Sequence, residues 1–106
     1  MSEKKKTIVI AFVNHKGGVA KTTSVVSLAT LFGKYGLRTL VCDTDAQANS
    51  CYHLGGDRPT SIKVRLEHVL ENNTLIAEAI HQTRHENVSV IYSSLGLNPV
   101  ADKLQL

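Results

Sequence analysis

The chain has 106 residues, which is enough for one small domain, and its formal net charge of +3 is mild. Hydrophobic residues make up 42% of the chain and no stretch approaches a membrane span, so the composition is typical of a globular domain without membrane attachment. Because no apolar signal core precedes the first predicted strand and the two cysteines lack the spacing of a metal pair, we expect a reduced, cytoplasmic protein.

The first two predicted elements are a basic tail and an apolar strand. Residues 1–6 contain three consecutive lysines and are expected to form a flexible, solvated tail. Residues 7–13 are apolar and rich in β-branched side chains, which predicts a central strand of a sheet. This strand leads directly into a glycine-bearing loop.

The segment over residues 14–23 has the layout of a phosphate-binding loop. An apolar strand is followed by a glycine-bearing loop and then by Lys21-Thr22 at the start of a helix, which is predicted over residues 21–35. The first main-chain N–H groups of a helix lack partners inside it and lie at its positive dipole end, so a phosphate can satisfy them. Lys21 adds positive charge for the outer phosphates, and the Thr22 hydroxyl is placed to ligate a magnesium ion.

The sequence of this segment departs from the general pattern G-x-x-x-x-G-K-[ST], because His15 and Ala20 stand at its two glycine positions. If the backbone at Ala20 is left-handed, alanine costs on the order of 1 kcal/mol relative to glycine.

Further along the helix, Gly36 is predicted to be the C-terminal stop. Apolar residues recur at helical spacing and predict one buried face, made of Val25, Leu28, Ala29, Phe32 and Tyr35.

An acidic signature follows the next predicted strand, over residues 38–42. This strand ends in Asp43 and Asp45, and a spacing of two residues points both carboxylates the same way. Ligand sites of open α/β sheets lie at the carboxyl ends of strands, so both aspartates are candidates to hold magnesium-bound water or to orient an attacking water. An Asp-rich turn is the structural alternative. Cys42, in the same strand, is predicted to be buried as a small apolar group.

The remaining pattern predicts an α/β fold. Residues 46–58 are predicted as a loop with room for one helical turn, residues 61–71 and 75–83 as helices, and residues 88–92 as a third strand. Asn98-Pro99 is a typical helix start, and this last helix is predicted to run to the carboxyl end. The order strand–helix–strand–helices–strand–helix favours a layered α/β fold with right-handed crossovers. The five histidines are scattered and predict no metal site.

Residues 16–23 resemble the deviant Walker A loop of the ParA/MinD superfamily of ATPases. The family pattern is K-G-G-x-G-K-T-T, and the chain agrees with it at seven of eight positions, including the early Lys16 that defines the group. Residues 43–49 are similar to the family's D-x-D-P-Q-G-N stretch, although Ala46 and Ala48 replace its proline and glycine. The resemblance is strongest to ParA/Soj-type partition ATPases and extends over nearly the whole chain. It implies a P-loop NTPase-like layered fold with a mostly parallel sheet.

This resemblance implies a role for each matched residue. ATP and Mg²⁺ are expected to bind at the loop, through Lys16, Gly17, Gly18, Val19, Ala20, Lys21, Thr22 and Thr23. Thr22 and Asp43 are expected to serve the magnesium ion, and Lys21 the outer phosphates of its own subunit. The catalytic residues are expected to be Lys16, which reaches across to the partner's phosphates in a two-subunit nucleotide sandwich, and Asp45, which orients the attacking water.

Only the N-terminal part of the family pattern is present. Relatives continue into a Walker B strand that ends in an aspartate, and no apolar run of that kind occurs here. We therefore expect residues 1–106 to form a single, truncated ParA-like nucleotide-binding domain of the AAA or CbiA type. In the family, the Walker B strand lies between the first two predicted strands. Residues 7–13 and 38–42 must therefore pair directly, leave a gap or accept a strand from another chain, and such open edges predict self-association.

Three functions remain open. The first is a ParA-like ATPase for plasmid or chromosome partition, which would be a nucleotide-dependent dimerisation switch. It would act with a ParB-like partner and with nonspecific DNA, although most of the family's DNA-binding surface lies in the missing part. The second is a truncated, non-hydrolysing regulator that associates with itself or with a full-length relative, and the third is a MinD-like ATPase. The missing Walker B strand favours the regulator, whereas the ATPase is favoured by the presence of Lys16, Lys21, Asp43 and Asp45.

Overall fold

The structure is a computed structural model, and its described residues are 6–12, 19–44, 49–55, 62–71, 74–93 and 99. Helices and strands within these ranges are α1 (Val19–Lys34), β1 (Thr39–Cys42), α2 (Asn49–Gly55), α3 (Leu66–Leu70), α4 (Ile76–Ala79), β2 (Ile80–Gln82) and β3 (Val88–Ile91). In this part of the chain, no helix is both long and apolar enough to cross a membrane. Except for Pro99, the predicted last helix lies outside the described residues.

The three described strands form one mixed sheet in the order β1-β3-β2. β1 runs parallel to β3, with Val41 opposite Val90, and β2 runs antiparallel to β3, with His81 opposite Val90. Helices α1 and α2 both pack against β1 and β3. The predicted layered α/β fold is therefore confirmed, and so are the second and third predicted strands.

The first predicted strand is not part of this sheet. Residues 7–12, the described part of that prediction, have no strand conformation, and Ile8 and Val9 are 81% and 87% exposed. A strand needs a neighbour for its main-chain hydrogen-bonding groups, and in the described sheet β1 pairs with β3 alone. The prediction of a central strand is therefore wrong for residues 7–12, and these residues do not pair directly with β1.

The helix predicted over residues 75–83 is wrong in its second half. α4 ends at Ala79, and the chain continues from Ile80 as β2. The change follows from the hairpin with β3, in which the main-chain N–H of Thr83 donates to the oxygen of Val88 at 3.2 Å. Asn87 in the connecting turn has a positive φ of 63°. Pairing with β3 thus outweighs the helical spacing of the apolar residues.

Two further helices differ in length from their predictions. α3 begins at Leu66 rather than near residue 61, because Arg65 has an extended backbone and its N–H donates to Nδ1 of His68 at 3.0 Å. This bond is part of a capping box, which fixes the start of the helix. α2, with seven residues, replaces the single turn that was predicted within a loop over residues 46–58.

The core lies on both faces of β3, as the alternation of side chains along a strand requires. Ile91 packs on one face with Leu66 and Ala79. The opposite face packs against α1 and α2 in a larger cluster of buried residues, which comprises Ala29, Val41, Cys51, Leu54, Ile62, Val88, Val90 and Tyr92. This larger cluster fixes the positions of α1 and α2 on the sheet.

α1 ends at the predicted glycine stop. The main-chain N–H groups of Gly36 and Leu37 donate to the oxygens of Gly33 and Phe32, both at 3.0 Å, and Gly36 has a φ of 81°. These two bonds and the left-handed glycine form a Schellman motif, which satisfies carbonyl groups at the helix end. Tyr35 lies beyond the last helical residue and is 77% exposed, so its predicted place on the buried face is wrong.

Candidate functional site

The start of α1 carries the last part of the predicted phosphate-binding loop. Because the helix begins at Val19, Lys21 and Thr22 lie in its first turn and are half-buried, and the exposed Thr23 follows them. This first turn contains no acidic residue, so no side chain there neutralises the positive end of the helix dipole. The main-chain N–H groups of a first turn have no partner inside the helix. This end of α1 therefore suits an anion such as phosphate.

Four of the predicted site residues lie outside the described residues. They are Lys16, Gly17, Gly18 and Asp45. Ala20 lies within the described range, and its backbone belongs to α1. Among the described non-glycine residues, a positive φ occurs at Asn87 alone. The left-handed penalty considered for Ala20 therefore does not arise in this structure.

Asp43 directly follows β1 at the carboxyl end of the sheet, where the sequence predicts a ligand site. Its side chain is half-buried, and its Oδ2 accepts a hydrogen bond from the main-chain N–H of Ser50 at 3.3 Å. Ser50 lies in the first turn of α2, so the carboxylate satisfies a donor at the start of that helix. This role in holding α2 is not visible from the local pattern of the sequence, because seven residues separate the two partners.

A small cavity of about 170 Å³ opens between α1 and α2. It is lined by Thr22, Thr23, Val26 and Ser27 of α1 and by His53 of α2. Thr23 and Ser27 are four residues apart on α1 and therefore lie on one face, a signal that the sequence does contain. His53 carries no such signal, since it falls in a segment predicted as loop. The cavity places hydrogen-bonding groups beside the predicted phosphate site.

The two cysteines occupy opposite environments. Both are free thiols, and Cys42 is exposed, so its predicted burial is wrong. Cys51, in α2, is fully buried, and its Sγ donates to the main-chain oxygen of Ile91 at 3.1 Å. Burial raises the pKa of the Cys51 thiol to about 12, and the negative charge of Asp43 adds to the rise. Cys51 is therefore a protonated thiol at neutral pH.

Two of the described residues offer the type of donor that a magnesium ion shared with a phosphate would use. The Thr22 hydroxyl and the Asp43 carboxylate are oxygen ligands, which Mg²⁺ prefers; Thr22 lies in α1, which packs against β1, and Asp43 directly follows β1. Over the described ranges, no group of three or more His, Cys, Asp or Glu side chains could hold a metal by itself. Mg²⁺ commonly binds through one or two carboxylates plus the oxygens of a phosphorylated ligand, so this sparse donor set suits it.

Comparison with known sequences gives matches over nearly the whole chain. A family model described as an AAA domain matches residues 7–106. The chromosome partitioning protein ParA of Caulobacter vibrioides is 34% identical over 96 residues, which cover 91% of this chain and 36% of that protein. The sporulation initiation inhibitor protein Soj of Bacillus subtilis is 33% identical over 89 residues, covering 84% of this chain and 35% of that protein. The chain thus spans about a third of the length of these curated relatives.

Solved structures show the same fold. Cobyrinic acid a,c-diamide synthase from Mycobacterium smegmatis, with bound ATP analog and magnesium, gives a TM-score of 0.79 at 29% identity, over 89% of this chain and 38% of that chain. The cell division ATPase MinD of Pyrococcus furiosus gives a TM-score of 0.69 at 33% identity, over 82% of this chain and 37% of that chain. The predicted P-loop NTPase-like architecture is therefore confirmed.

Proposed function

Because this chain belongs to the ParA/MinD superfamily of P-loop ATPases, we propose that residues 1–106 form one nucleotide-binding domain that takes ATP with Mg²⁺. The observation that carries the proposal is the position of Lys21 and Thr22 in the first turn of a 16-residue helix. A triphosphate at this end meets the main-chain N–H groups of the first turn, the positive end of the dipole and an ammonium group together.

Each predicted site residue keeps its role in this proposal. Phosphate oxygens lie against the loop and the start of α1, with contacts from Lys16, Gly17, Gly18, Val19, Ala20, Lys21, Thr22 and Thr23. Thr22 and Asp43 serve the magnesium ion. Lys16 and Asp45 act in hydrolysis, by neutralising charge on the transferred phosphoryl group and by orienting water. Support for this ligand comes from the related structures solved with an ATP analog and magnesium, and with ADP and magnesium.

The biological role that we propose is nucleotide-dependent partition of plasmid or chromosomal DNA in the cytoplasm. ParA of Caulobacter vibrioides, a chromosome partitioning protein, supports this role by its similarity over 91% of the chain. In such a role the nucleotide controls self-association, and the chain acts with a ParB-like partner and nonspecific DNA. A MinD-like role is the alternative within the same superfamily, and the similarity to MinD of Pyrococcus furiosus supports it.

The site assignment is tested by nucleotide binding to the wild type and to Lys21→Ala. We expect Lys21→Ala to weaken binding of magnesium-ATP at least tenfold, or about 1.4 kcal/mol, because it removes a positive charge beside the phosphates. Lys34→Ala is the matched control, since Lys34 lies at the opposite end of the same helix and is exposed. Equal affinities for wild type and Lys21→Ala would contradict the assignment.

A second candidate function is a non-hydrolysing regulator. It is favoured by the exposed apolar side chains of Ile8, Val9 and Ile10, and by β1, which has a strand neighbour on one side alone in the described sheet. An edge of this kind accepts a strand from a second copy or from a full-length relative.

Phosphate release separates the two candidates. Steady release of phosphate from ATP, abolished by Lys16→Ala without loss of nucleotide binding, supports the ATPase. Nucleotide binding without release, together with a mass above that of the monomer in light scattering, supports the regulator. A compact monomer under all nucleotide conditions contradicts self-association in either role.

A further inference from the structure

The first turn of α2 is tied to the carboxyl ends of two strands. Ser50 donates its main-chain N–H to Oδ2 of Asp43 at 3.3 Å. The next residue, Cys51, donates its Sγ hydrogen to the oxygen of Ile91 at 3.1 Å, and this sulfur lies 3.9 Å from the oxygen of Val41. Two adjacent residues of α2 thus contact the end of β1, the end of β3 and the first carboxylate after β1.

The strand register explains why one thiol reaches both strands. β1 and β3 are parallel neighbours, and Cys42 lies opposite Ile91 at their carboxyl ends. Cys51 is fully buried, and it belongs to the cluster that α1 and α2 form with the sheet. Its sulfur therefore lies close to the carboxyl ends of both strands. In β1 it contacts Val41, which is two residues before Asp43.

We propose that Cys51 is a positioning residue for the magnesium site, because its thiol ties the start of α2 to the ends of β1 and β3 and so holds the Asp43 carboxylate in place. The inference rests on the proposed function, which assigns Asp43 to magnesium. It adds a residue that touches neither nucleotide nor metal. The thiol acts through the Ser50–Asp43 hydrogen bond, since Ser50 and Cys51 are consecutive residues of one helical turn, and through its own hydrogen bond with the main chain of Asp43.

A protonated thiol suits this position for two reasons. Its hydrogen is available to the Ile91 oxygen, and its sulfur packs as a small apolar group among Leu54 and Val90. A substitution that fills the same space but removes the donor should therefore disturb Asp43 without leaving a cavity in the core.

Cys51→Val and Cys51→Thr form the matched pair for this test. The two side chains have nearly the same shape, but threonine keeps a hydroxyl donor and valine has a methyl group in its place. A residue that merely fills the core would tolerate valine at least as well as threonine. Cys42→Ser is the control, because Cys42 is exposed. Cys51→Ser and Cys51→Ala supply a second pair with the same contrast if the larger side chains prevent folding.

The first readout is the magnesium concentration that half-saturates ATP binding. We expect Cys51→Thr and Cys42→Ser to match the wild type and Cys51→Val to need about fivefold more Mg²⁺, the effect of losing one hydrogen bond. Nucleotide affinity in EDTA should be equal for all variants. Equal magnesium requirements for Cys51→Val and Cys51→Thr would overturn the proposal.

The second readout is hydrogen exchange of the Ser50 amide in the nucleotide-free protein, since this amide donates to Asp43. Exchange should be faster in Cys51→Val than in Cys51→Thr or the wild type, and equal rates would overturn the positioning role. If the wild type binds no nucleotide, the proposed function fails while this readout still decides whether Cys51 holds Asp43. If the wild type binds magnesium-ATP and both readouts are equal for the pair, the positioning role alone fails.

Discussion

Asn87 donates a hydrogen bond from its side-chain Nδ2 to the main-chain oxygen of Gly33 at 2.9 Å, across 54 positions of sequence. Asn87 lies in the turn between β2 and β3, and its own main-chain oxygen accepts the N–H of Thr39 at 2.8 Å. One residue thus joins the end of α1, the start of β1 and the β2–β3 hairpin. The contact sets where the far end of α1 lies on the sheet, and so the orientation of the whole helix.

Substitutions of Asn87 should separate its hydrogen bond from its backbone conformation. Asn87→Gly removes the side-chain donor but suits the positive φ of 63°, so we expect a loss of about 1 kcal/mol in the free energy of unfolding. Asn87→Ala removes the donor and also strains the backbone, which should cost about 1 kcal/mol more. Urea unfolding measures both values. An alanine variant as stable as the glycine variant would contradict the left-handed conformation.

Gly33 and Gly36 should respond to alanine for different reasons. A Cβ on Gly33 would collide with the main-chain oxygen of Glu86 and approach Cγ2 of Val88, so the hairpin would have to move. We expect Gly33→Ala to destabilise the fold by about 3 kcal/mol, at the upper end for overpacked sites. A Cβ on Gly36 meets no atom within 4 Å, and its φ of 81° leaves a strain cost of about 1 kcal/mol. Thermal unfolding of the two variants should show this order, and the reverse order would contradict the packing of α1 on the hairpin.

The stability of the fold should fall at alkaline pH because of Cys51. Its folded pKa is raised to about 12 by burial and by Asp43, whereas a thiol in an unfolded chain titrates at about 8.5. Between these values the unfolded chain has lost a proton that the folded chain keeps, so stability is complete below the lower pKa and decreases as pH rises. The slope approaches about 1.4 kcal/mol per pH unit.

Urea unfolding between pH 7 and pH 10 checks this prediction against Cys51→Val, which has no proton to lose at that position. The valine variant should show a shallower decline of stability than the wild type. Cys42→Ser keeps the Cys51 thiol and should still decline, but less steeply than the wild type, because burial and Asp43 also raise the pKa of the Cys42 thiol. Parallel profiles for wild type and Cys51→Val would show that the buried thiol does not titrate differently in the folded and unfolded states.

The sequence predicts those parts of the fold that depend on local spacing. α1, its glycine stop, β1 and β3 follow from helical repeats, from a residue that tolerates positive φ and from short apolar runs. The strand β2 was predicted as helix because Ile80 and His81 acquire their conformation from pairing with β3, which no local pattern encodes. Residues 7–12 look like a strand in isolation but have no neighbour in the described sheet.

The candidate site likewise contains some residues whose positions the sequence predicts and others whose positions it does not. The positions of Lys21 and Thr22 at a helix start, and of Asp43 at a strand end, follow from motif and order. The contribution of Cys51 does not, because its partner Ile91 is 40 positions away and becomes a neighbour when β3 aligns with β1. His53 reaches the cavity beside Thr22 for a similar reason, since α2 is placed by its packing on α1 and the sheet.

Hydrogen exchange of the α1 amides, with and without magnesium-ATP, tests most directly whether the start of this helix binds a phosphate. We predict that saturating nucleotide slows exchange of residues 19–22 at least tenfold, about 1.4 kcal/mol of added protection, while amides near Gly33 at the far end keep their rates. Unchanged exchange over residues 19–22, with no heat of binding in calorimetry, would contradict a nucleotide site at the N-terminus of α1.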